Sequence, residues 1–474
     1  MGLPPLRRPG SHRRVKTLER SLSPFENLLI TVSGLTPCCS LFLGLPVVMQ
    51  MAGTGALWSF FGAAVLSACM ALVYAEVGSA YPLSGLGYAI AGRVLGRFAS
   101  FILLCQDLVS TPLTIAAMSI SIPAYLQPVL PGLSPIVVGV ASTAVCALIG
   151  ILKIQINSFI TGVFLALELT VLLLLTVLGF AHPARPLLHL IAHPVAASAG
   201  GALLPSSLAH IALAMPIAFC CFNGFQFAIT YSEETTDARR NVARVVLWAL
   251  AIGVIAEMAP LVAVFWGVPD LHLLGGDTNP LLAFIETRGG HGLAVFAGVS
   301  VAIAQFNANI AIMLMFARLL YSTGRDRIWP ARANRLLVRL HVRFASPWAA
   351  TLVAGAVACA ACFINLTTIL IITGSSVVVA YAGICVSALW GRRTGSTSHA
   401  HYRMPLFPLV PLIALAGLVY VTFATYQDKD SGRPSLYAAA ILILASVVYY
   451  FLAIRPRGRW VLEGPPEEAL PTKP

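Results

Sequence analysis

The feature of this 474-residue chain that most limits its fold is a series of apolar stretches, each about as long as one bilayer crossing. A membrane-spanning helix needs roughly 20 apolar residues and a spanning β-strand about half as many, so these lengths predict helices. We therefore expect an all-α polytopic membrane protein. The twelve stretches are Phe25–Met51, Leu57–Tyr81, Phe98–Leu126, Pro135–Leu152, Phe159–Ala181, Leu208–Tyr231, Val245–Trp266, Gly292–Leu320, Pro347–Ile364, Thr367–Leu389, Pro405–Tyr426 and Leu436–Ile454.

The composition excludes several classes of protein. Hydrophobic residues make up 58% of the chain and charged residues only 10%, whereas soluble domains carry about 25% charged residues. A water-soluble enzyme and a disordered chain are therefore excluded. The ten cysteines lie in apolar stretches and are expected to be small buried side chains. No metal-ligand cluster, nucleotide-binding loop or catalytic triad is recognisable, so we expect no enzyme, metal or cofactor.

The distribution of the 30 lysines and arginines predicts the orientation of the chain. With a cytoplasmic N-terminus, 26 fall in inner segments, and the four in outer segments are Arg185, Arg288, Lys429 and Arg433. This asymmetry obeys the positive-inside rule. We expect a cell-membrane (inner or plasma membrane) protein with a basic cytoplasmic tail, residues 1–24, and a second cytoplasmic tail, residues 455–474. The net charge of +12 is then mainly a topology signal and not a nucleic-acid surface.

The spans form three groups within one predicted membrane domain, residues 25–454. Residues 25–181 and residues 208–389 each contain five spans, and residues 405–454 contain the last two. Because five is an odd number, the second group starts from the opposite side of the membrane. This arrangement predicts a 5+5 inverted repeat followed by helices 11 and 12.

Spans one and six are not uniformly apolar helices. In span one, Pro37 lacks a backbone donor and disfavours a helical conformation at Thr36. In span six, Asn223 and Gly224 stand in mid-membrane. The two breaks are about 186 residues apart, and each lies in the first span of its group of five. Discontinuous helices at matching positions of two halves indicate the substrate site of a secondary transporter.

A broken helix presents two kinds of backbone group to a ligand. The N–H groups that begin the second half favour a carboxylate, and the carbonyls that end the first half favour an ammonium group or a cation. A zwitterion such as an amino acid carries both charges. Two broken helices that face each other therefore suit an amino acid.

Carboxylates within the predicted spans are functional candidates, because charge in a membrane is costly. Glu76, near the inner end of span two, is expected to pair with an inner-loop arginine, although a coupling role stays open. Asp107 could face an inner vestibule. Glu168 and Glu257 lie deeper, where desolvation favours a protonated carboxyl that can exchange its proton near neutral pH. Glu168 is the first candidate for proton coupling, followed by Glu257 and Asp107.

Four motifs resemble those of the amino acid–polyamine–organocation (APC) superfamily of permeases, over essentially the whole chain. The family patterns are YAELGSxxPxxGGxY, an E..NPRRNIPRA loop, SRxxxAxxRDGxxP and FRxPxxPxxP. In this sequence they correspond, in that order, to residues 74–88, 232–244, 317–330 and 402–408. The resemblance implies an inverted five-helix repeat, alternating access and amino acid substrates.

The resemblance also implies a binding site. In the family, the substrate carboxylate lies against the unwound part of span one and the ammonium group against span six. The corresponding residues here are Thr36, Cys38, Cys39, Ser40, Phe222, Asn223, Gly224 and Phe225. Proton-coupled relatives often have a lysine in span five, whereas this chain has Glu168 there, so the mode of coupling cannot be transferred.

These observations predict secondary active transport of amino acids, with the amino acid, the lipid bilayer and a coupling proton as partners. Proton-coupled symport of neutral amino acids is the first hypothesis. An amino acid/amine exchanger is one alternative. A non-transporting membrane sensor or scaffold on the same fold is another, although a sensor usually needs an output domain and the tails are short.

Overall fold

The computed structural model describes residues 18–197, 203–272, 279–458 and 460–462. Most of each predicted tail, residues 1–17 and 463–474, lies outside them. Within the described residues, eight helical runs are long and apolar enough to cross a membrane, and three shorter apolar helices accompany them. The architecture is therefore mostly helical, as the apolar stretches predict.

The N-terminal half contains twelve α-helices and a short hairpin among the described residues, many of the helices being pieces of longer runs. They are α1 Pro24–Leu35, α2 Pro37–Cys39, α3 Leu45–Ala52, α4 Ala56–Ala80, α5 Leu86–Val94, α6 Arg97–Leu126, α7 Pro135–Gly150, α8 Ile154–Ala181, α9 Leu187–Ala192, β1 Val195–Ala197, β2 Leu203–Pro205, α10 Leu208–Cys221, α11 Phe227–Thr230 and α12 Ala238–Gly267. The antiparallel strands β1 and β2 pair Val195 with Pro205, and no sequence pattern predicted them.

The C-terminal half of the described chain is helical. Its helices are α13 Pro280–Gly289, α14 His291–Arg325, α15 Ala331–Leu337, α16 Trp348–Ala361, α17 Leu366–Gly374, α18 Ser376–Thr394, α19 Leu409–Gln427, α20 Gly432–Tyr449 and α21 Arg455–Arg457.

The first apolar stretch is interrupted where proline predicts it. Thr36 adopts a left-handed conformation (φ 58°, ψ 58°), which ends α1. Helical backbone resumes at Pro37, since proline is compatible with the first turn of a helix. The new helix continues to Ala52 through a π-helical turn at Ser40–Gly44.

The sixth stretch is interrupted in the same way. Helix α10 ends at Cys221 and α11 begins at Phe227. Gly224 lies between them at φ 130°, a conformation that other residues rarely adopt. A further break, at Ser375 between α17 and α18, was not predicted from the sequence.

Glycines set the crossing of α8 and α12. A Cβ at Gly179 would lie 2.1 Å from the carbonyl oxygen of Ala263, and one at Gly267 would lie 2.6 Å from the Cα of Gly179. Small residues at a crossing let two helix backbones approach closely. This contact fixes α8 and α12 side by side.

Helix α14 continues to Arg325, five residues past the predicted end at Leu320. The prediction ended at Leu320 because charged residues follow. The helix continues through its charged end because Arg325 is paired: it donates to Glu233 at 2.5 Å. Arg318, already inside the predicted span, donates to Glu234. Ion pairing therefore extends the helix beyond its apolar part.

Candidate functional site

A buried carboxylate binds the backbone at the first helix break, which lies at Thr36. The N–H of Cys38 donates a hydrogen bond to Oε1 of Glu168 over 2.9 Å. Cys38 is in the first turn of the new helix, where N–H groups have no partner within the helix. Thr36 makes no side-chain cap, so Glu168 on α8 supplies the acceptor.

Two side-chain amides and a tyrosine form hydrogen bonds at the second helix break, which lies at Gly224. Oδ1 of Asn223 accepts hydrogen bonds from Nε2 of Gln226 and from the hydroxyl of Tyr381, both at 2.7 Å. Oε1 of Gln226 accepts from the N–H of Gly224 at 3.1 Å. The polar side chains of this turn are therefore bonded to each other and to α18.

The two breaks touch each other. The hydroxyl of Ser40 donates to the carbonyl of Cys221 at 2.9 Å. A Cβ at Gly224 would lie 2.5 Å from the Cα of Leu35, so glycine permits this close approach as well as the positive φ. The structure thus brings together the segments that the sequence selected in spans one and six.

Aromatic rings line the second break. The ring of Phe222 meets Phe60 edge to face at 5.9 Å between centroids, and Phe225 meets Tyr74 at 6.0 Å. Tyr381 lies 6.1 Å from Phe225. All of these side chains are buried. The aromatic rings therefore pack against each other beside the site.

Glu168 and Glu257 converge behind the first break. Both are fully buried, and they lie close enough for their charges to interact. Oε2 of Glu168 and both carboxyl oxygens of Glu257 have no hydrogen-bond partner among the described residues. The amide of Asn307 on α14 lies beside Glu168. Because unpaired buried polar atoms are costly, a protonated carboxyl or a polar ligand is favoured here.

Asp107 and Glu76 have other neighbours. Asp107 is half-buried and lies near Tyr74, which packs against Phe225 of the second break. Glu76 accepts two hydrogen bonds from the guanidinium of Arg392, at 2.6 and 2.5 Å, and one from the N–H of Met404 at 2.8 Å. Glu76 therefore has the arginine partner that the sequence predicts.

A second set of buried charges lies on the predicted cytoplasmic side. The guanidinium of Arg325 donates two hydrogen bonds to the carboxylate of Glu233. The N–H of Ser84 donates a third to Oε1 of Glu233 at 2.9 Å. Burial acts to raise the pKa of Glu233, but the Arg325 charge together with the hydrogen bonds from Arg325 and Ser84 outweighs it and leaves that pKa below its ordinary value. Burial raises the pKa of Asp326 to about 7 against the opposing charges of Arg325 and Arg93.

The polar residues of α14 differ in their contacts. Nδ2 of Asn309 donates to Oγ of Ser119 at 2.8 Å, and Ser119 lies 2.9 Å from the hydroxyl of Thr143. This chain joins α14 to α6 and α7, as expected for polar contacts between membrane helices. Gln305 has no such partner among the described residues, and Asn307 lies beside Glu168.

Sequence reasoning missed two tyrosines of the site. Tyr381 bonds to Asn223 across 158 residues of sequence, and the hydroxyl of Tyr125 donates to the carbonyl of Phe42 in the π-helical turn at 3.2 Å. Neither tyrosine stands near a local break or charge. The polar composition around Ser375 and Ser376 was the one available signal for the region of Tyr381.

Comparison with known proteins gives the family of this chain. Residues 22–447 match the amino acid permease family. The chain belongs to this family, within the APC superfamily. The resemblance drawn from the four motifs is therefore confirmed.

Several curated proteins are similar to this permease over most of their length. An uncharacterised transporter of Mycobacterium tuberculosis is 28% identical over 361 residues, which are 75% of this chain and 76% of the relative. The methylthioribose transporter of Bacillus subtilis is 22% identical over 425 residues, 85% of this chain and 87% of the relative. A branched-chain amino acid permease of the same organism is 22% identical over 344 residues, 71% and 73% of the two chains.

Proposed function

We propose that this permease carries neutral amino acids across the cell membrane by alternating access, in symport with protons. The observation that carries the proposal is the contact between two broken helices, at Leu35 and Gly224, in a chain of the amino acid permease family. The relatives include a branched-chain amino acid permease, and branched-chain amino acids are neutral. Membership of the family supports amino acid transport. Symport with protons and a preference for neutral amino acids are proposed in addition.

The proposed topology has twelve spans and cytoplasmic termini. The eight long runs and three shorter apolar helices supply eleven segments, and the first run, Pro24–Ala80, is 57 residues long. That run turns at Gly53–Gly55 and is long enough for two crossings. Breaks at Thr36 and Gly224 in the first span of each group of five support the inverted repeat.

The proposed binding residues are those of the two breaks, and Glu168 is the proposed proton carrier, with Glu257 as its partner. Glu168 contacts the backbone of the first break directly. A change in its protonation therefore alters the site where a substrate carboxylate is expected. Asp107 is the weaker candidate, because its neighbour is Tyr74, beside the second break, and not the backbone of the first.

The test is uptake into proteoliposomes that contain the purified full-length protein. The panel comprises radiolabelled L-alanine, L-serine, L-leucine and methylthioribose, with and without an imposed inward proton gradient. We expect the gradient to drive accumulation of at least one amino acid. Glu168→Gln should abolish accumulation and retain exchange, whereas Glu286→Gln, at an exposed contact with His291, should behave as the wild type.

Other outcomes separate the alternatives. Uptake that occurs only into liposomes preloaded with amino acid or amine indicates an exchanger. Uptake of methylthioribose alone contradicts the amino acid assignment. Absence of transport by correctly folded protein favours a sensor or scaffold.

A further inference from the structure

The backbone donor expected to bind a substrate carboxylate is already occupied by a carboxylate of the protein. Cys38 lies in the first turn of a helical segment that continues to Ala52, and its N–H is bonded to Glu168. Glu168 reaches this donor from α8, so it is not a local helix cap. The first break therefore holds an internal carboxylate in the place proposed for the substrate.

The site cannot accommodate a second anion at this donor without a change. A single N–H makes one strong charge-assisted hydrogen bond, and the N–H of Cys38 already makes it to the fully buried Glu168. A substrate carboxylate beside it would place two like charges together in a low-dielectric region. Glu257 adds a third carboxyl to the same region.

The groups that face Glu168 leave few ways to relieve this repulsion. The titratable ones are the thiols of Cys38 and Cys39 in the first span and the carboxyl of Glu257 on α12. Asn307 on α14 faces it with a neutral amide. None of these groups is a cation, so protonation of a carboxyl is the available means of neutralisation.

We propose that Glu168 is an internal substitute for the substrate carboxylate. As an anion it occupies the N–H of Cys38, and it releases that donor to the substrate when it takes up a proton. The inference rests on the proposed function, since it assumes a substrate with a carboxylate. It makes substrate binding and proton uptake one event, so the two ligands bind together in a fixed ratio.

The test is equilibrium binding to the purified full-length protein at a series of pH values between about 6 and 9, which spans the neutral region where a buried carboxyl is expected to exchange its proton. The probes are L-alanine, L-serine and L-leucine, and each is compared with its amide, which lacks the carboxylate. In the wild type, the Kd of the bound amino acid should rise with pH, approaching about tenfold per pH unit once Glu168 is ionised. The amides should show no such rise.

Two variants examine the role of Glu168. Glu168→Gln keeps the length of the side chain without the charge, so amino acid binding should be retained and become independent of pH. Glu168→Asp keeps the acid but shortens the side chain away from Cys38, and it should also flatten the pH dependence. Glu286→Gln should retain the wild-type profile, and thermal unfolding checks that each variant is folded.

The results distinguish the failure of this inference from that of the proposed function. A wild-type Kd for an amino acid that does not change with pH overturns the inference. So does a folded Glu168→Gln variant that no longer binds an amino acid that the wild type binds. Failure of the wild type to bind any amino acid at any pH instead overturns the amino acid assignment itself.

Discussion

The residue Glu76 belongs to a buried ion pair, whose contribution to stability should exceed that of an exposed contact. Its carboxylate is fully buried and bonded to Arg392. Glu76→Gln leaves that guanidinium without its counter-charge, and breaking a buried pair costs about 3–5 kcal/mol. We expect a marked loss of folded protein in size-exclusion chromatography and a lower unfolding temperature.

The matched control is Glu286→Gln, which removes an exposed contact with His291. An exposed pair contributes about 0–1 kcal/mol, so this variant should unfold close to the wild type. Equal unfolding temperatures for Glu76→Gln and Glu286→Gln would contradict a structural role for the Glu76–Arg392 pair.

Asp326 gives a prediction about pH. Burial raises the pKa of Asp326 from 3.8 to about 7, so the folded state keeps its proton where the unfolded state has lost it. Stability from this group is therefore full below about pH 4 and falls as the pH rises to about 7. Asp326→Asn removes this contribution. Its unfolding temperature should decline less than that of the wild type across this range, and identical slopes would contradict the assignment.

Predictability differs from one residue to the next. The partner of Glu76 could be predicted because acidic residues near an inner membrane face commonly meet the arginines of inner loops. The bond between Glu168 and Cys38 could not, since no residue type indicates which backbone N–H a carboxyl will meet, and this pairing arises only when α8 packs beside the first break. Tyr381 was missed for the same reason, because its role arises only when α18 packs beside the second break.

At the scale of the elements, the contact between the two breaks depends on Gly224. Gly224→Ala adds a Cβ 2.5 Å from the Cα of Leu35 at a φ of 130°, so the backbones must separate. We expect transport to fall at least tenfold and the protein to be destabilised. The measurement is uptake per folded molecule in proteoliposomes.

Gly132→Ala is the control for backbone strain alone. Gly132 also has a positive φ, 82°, but nothing lies within 4 Å of an added Cβ. Strain of this kind costs roughly 1–2 kcal/mol, so transport per folded molecule should stay near the wild-type value. An equal loss in both variants would contradict the importance of the contact at Leu35.

The elements themselves were largely predictable. Apolar length predicts the long helices, and Pro37 predicts the end of α1 because its chemistry acts on the neighbouring residue. The hairpin at Val195–Ala197 and Leu203–Pro205 and the break at Ser375 were not predicted. They depend on contacts with other elements, such as the 2.6 Å contact between the hydroxyls of Ser375 and Ser435.

For the whole molecule, the arrangement of charge predicts the topology. Fusions of alkaline phosphatase, which is active only outside the cytoplasm, after Lys153 and after Ala184 form a matched pair around α8. We expect activity after Ala184 and none after Lys153. A fluorescent protein fused to the C-terminus should be fluorescent, as expected of a cytoplasmic terminus. The opposite pattern would contradict the proposed orientation.

The overall fold was more predictable than the site because different forces determine them. Bilayer thickness and charge asymmetry act along the sequence, so they identify spans and their direction before any contact is known. Side chains at the breaks are brought together by helix packing, such as the close approach of α8 and α12 at Gly179 and Gly267. This approach places the helices that carry Glu168 and Glu257 side by side.

We propose that a proton gradient drives amino acid accumulation by this protein. The most direct measurement records amino acid uptake and internal acidification together in the same proteoliposomes, with an inward proton gradient and a neutral amino acid outside. We predict accumulation above the external concentration, with acidification in a fixed ratio to uptake, and loss of accumulation when a protonophore removes the gradient. If the folded protein only equilibrates the amino acid across the membrane, with no acidification linked to uptake, proton-coupled symport is contradicted.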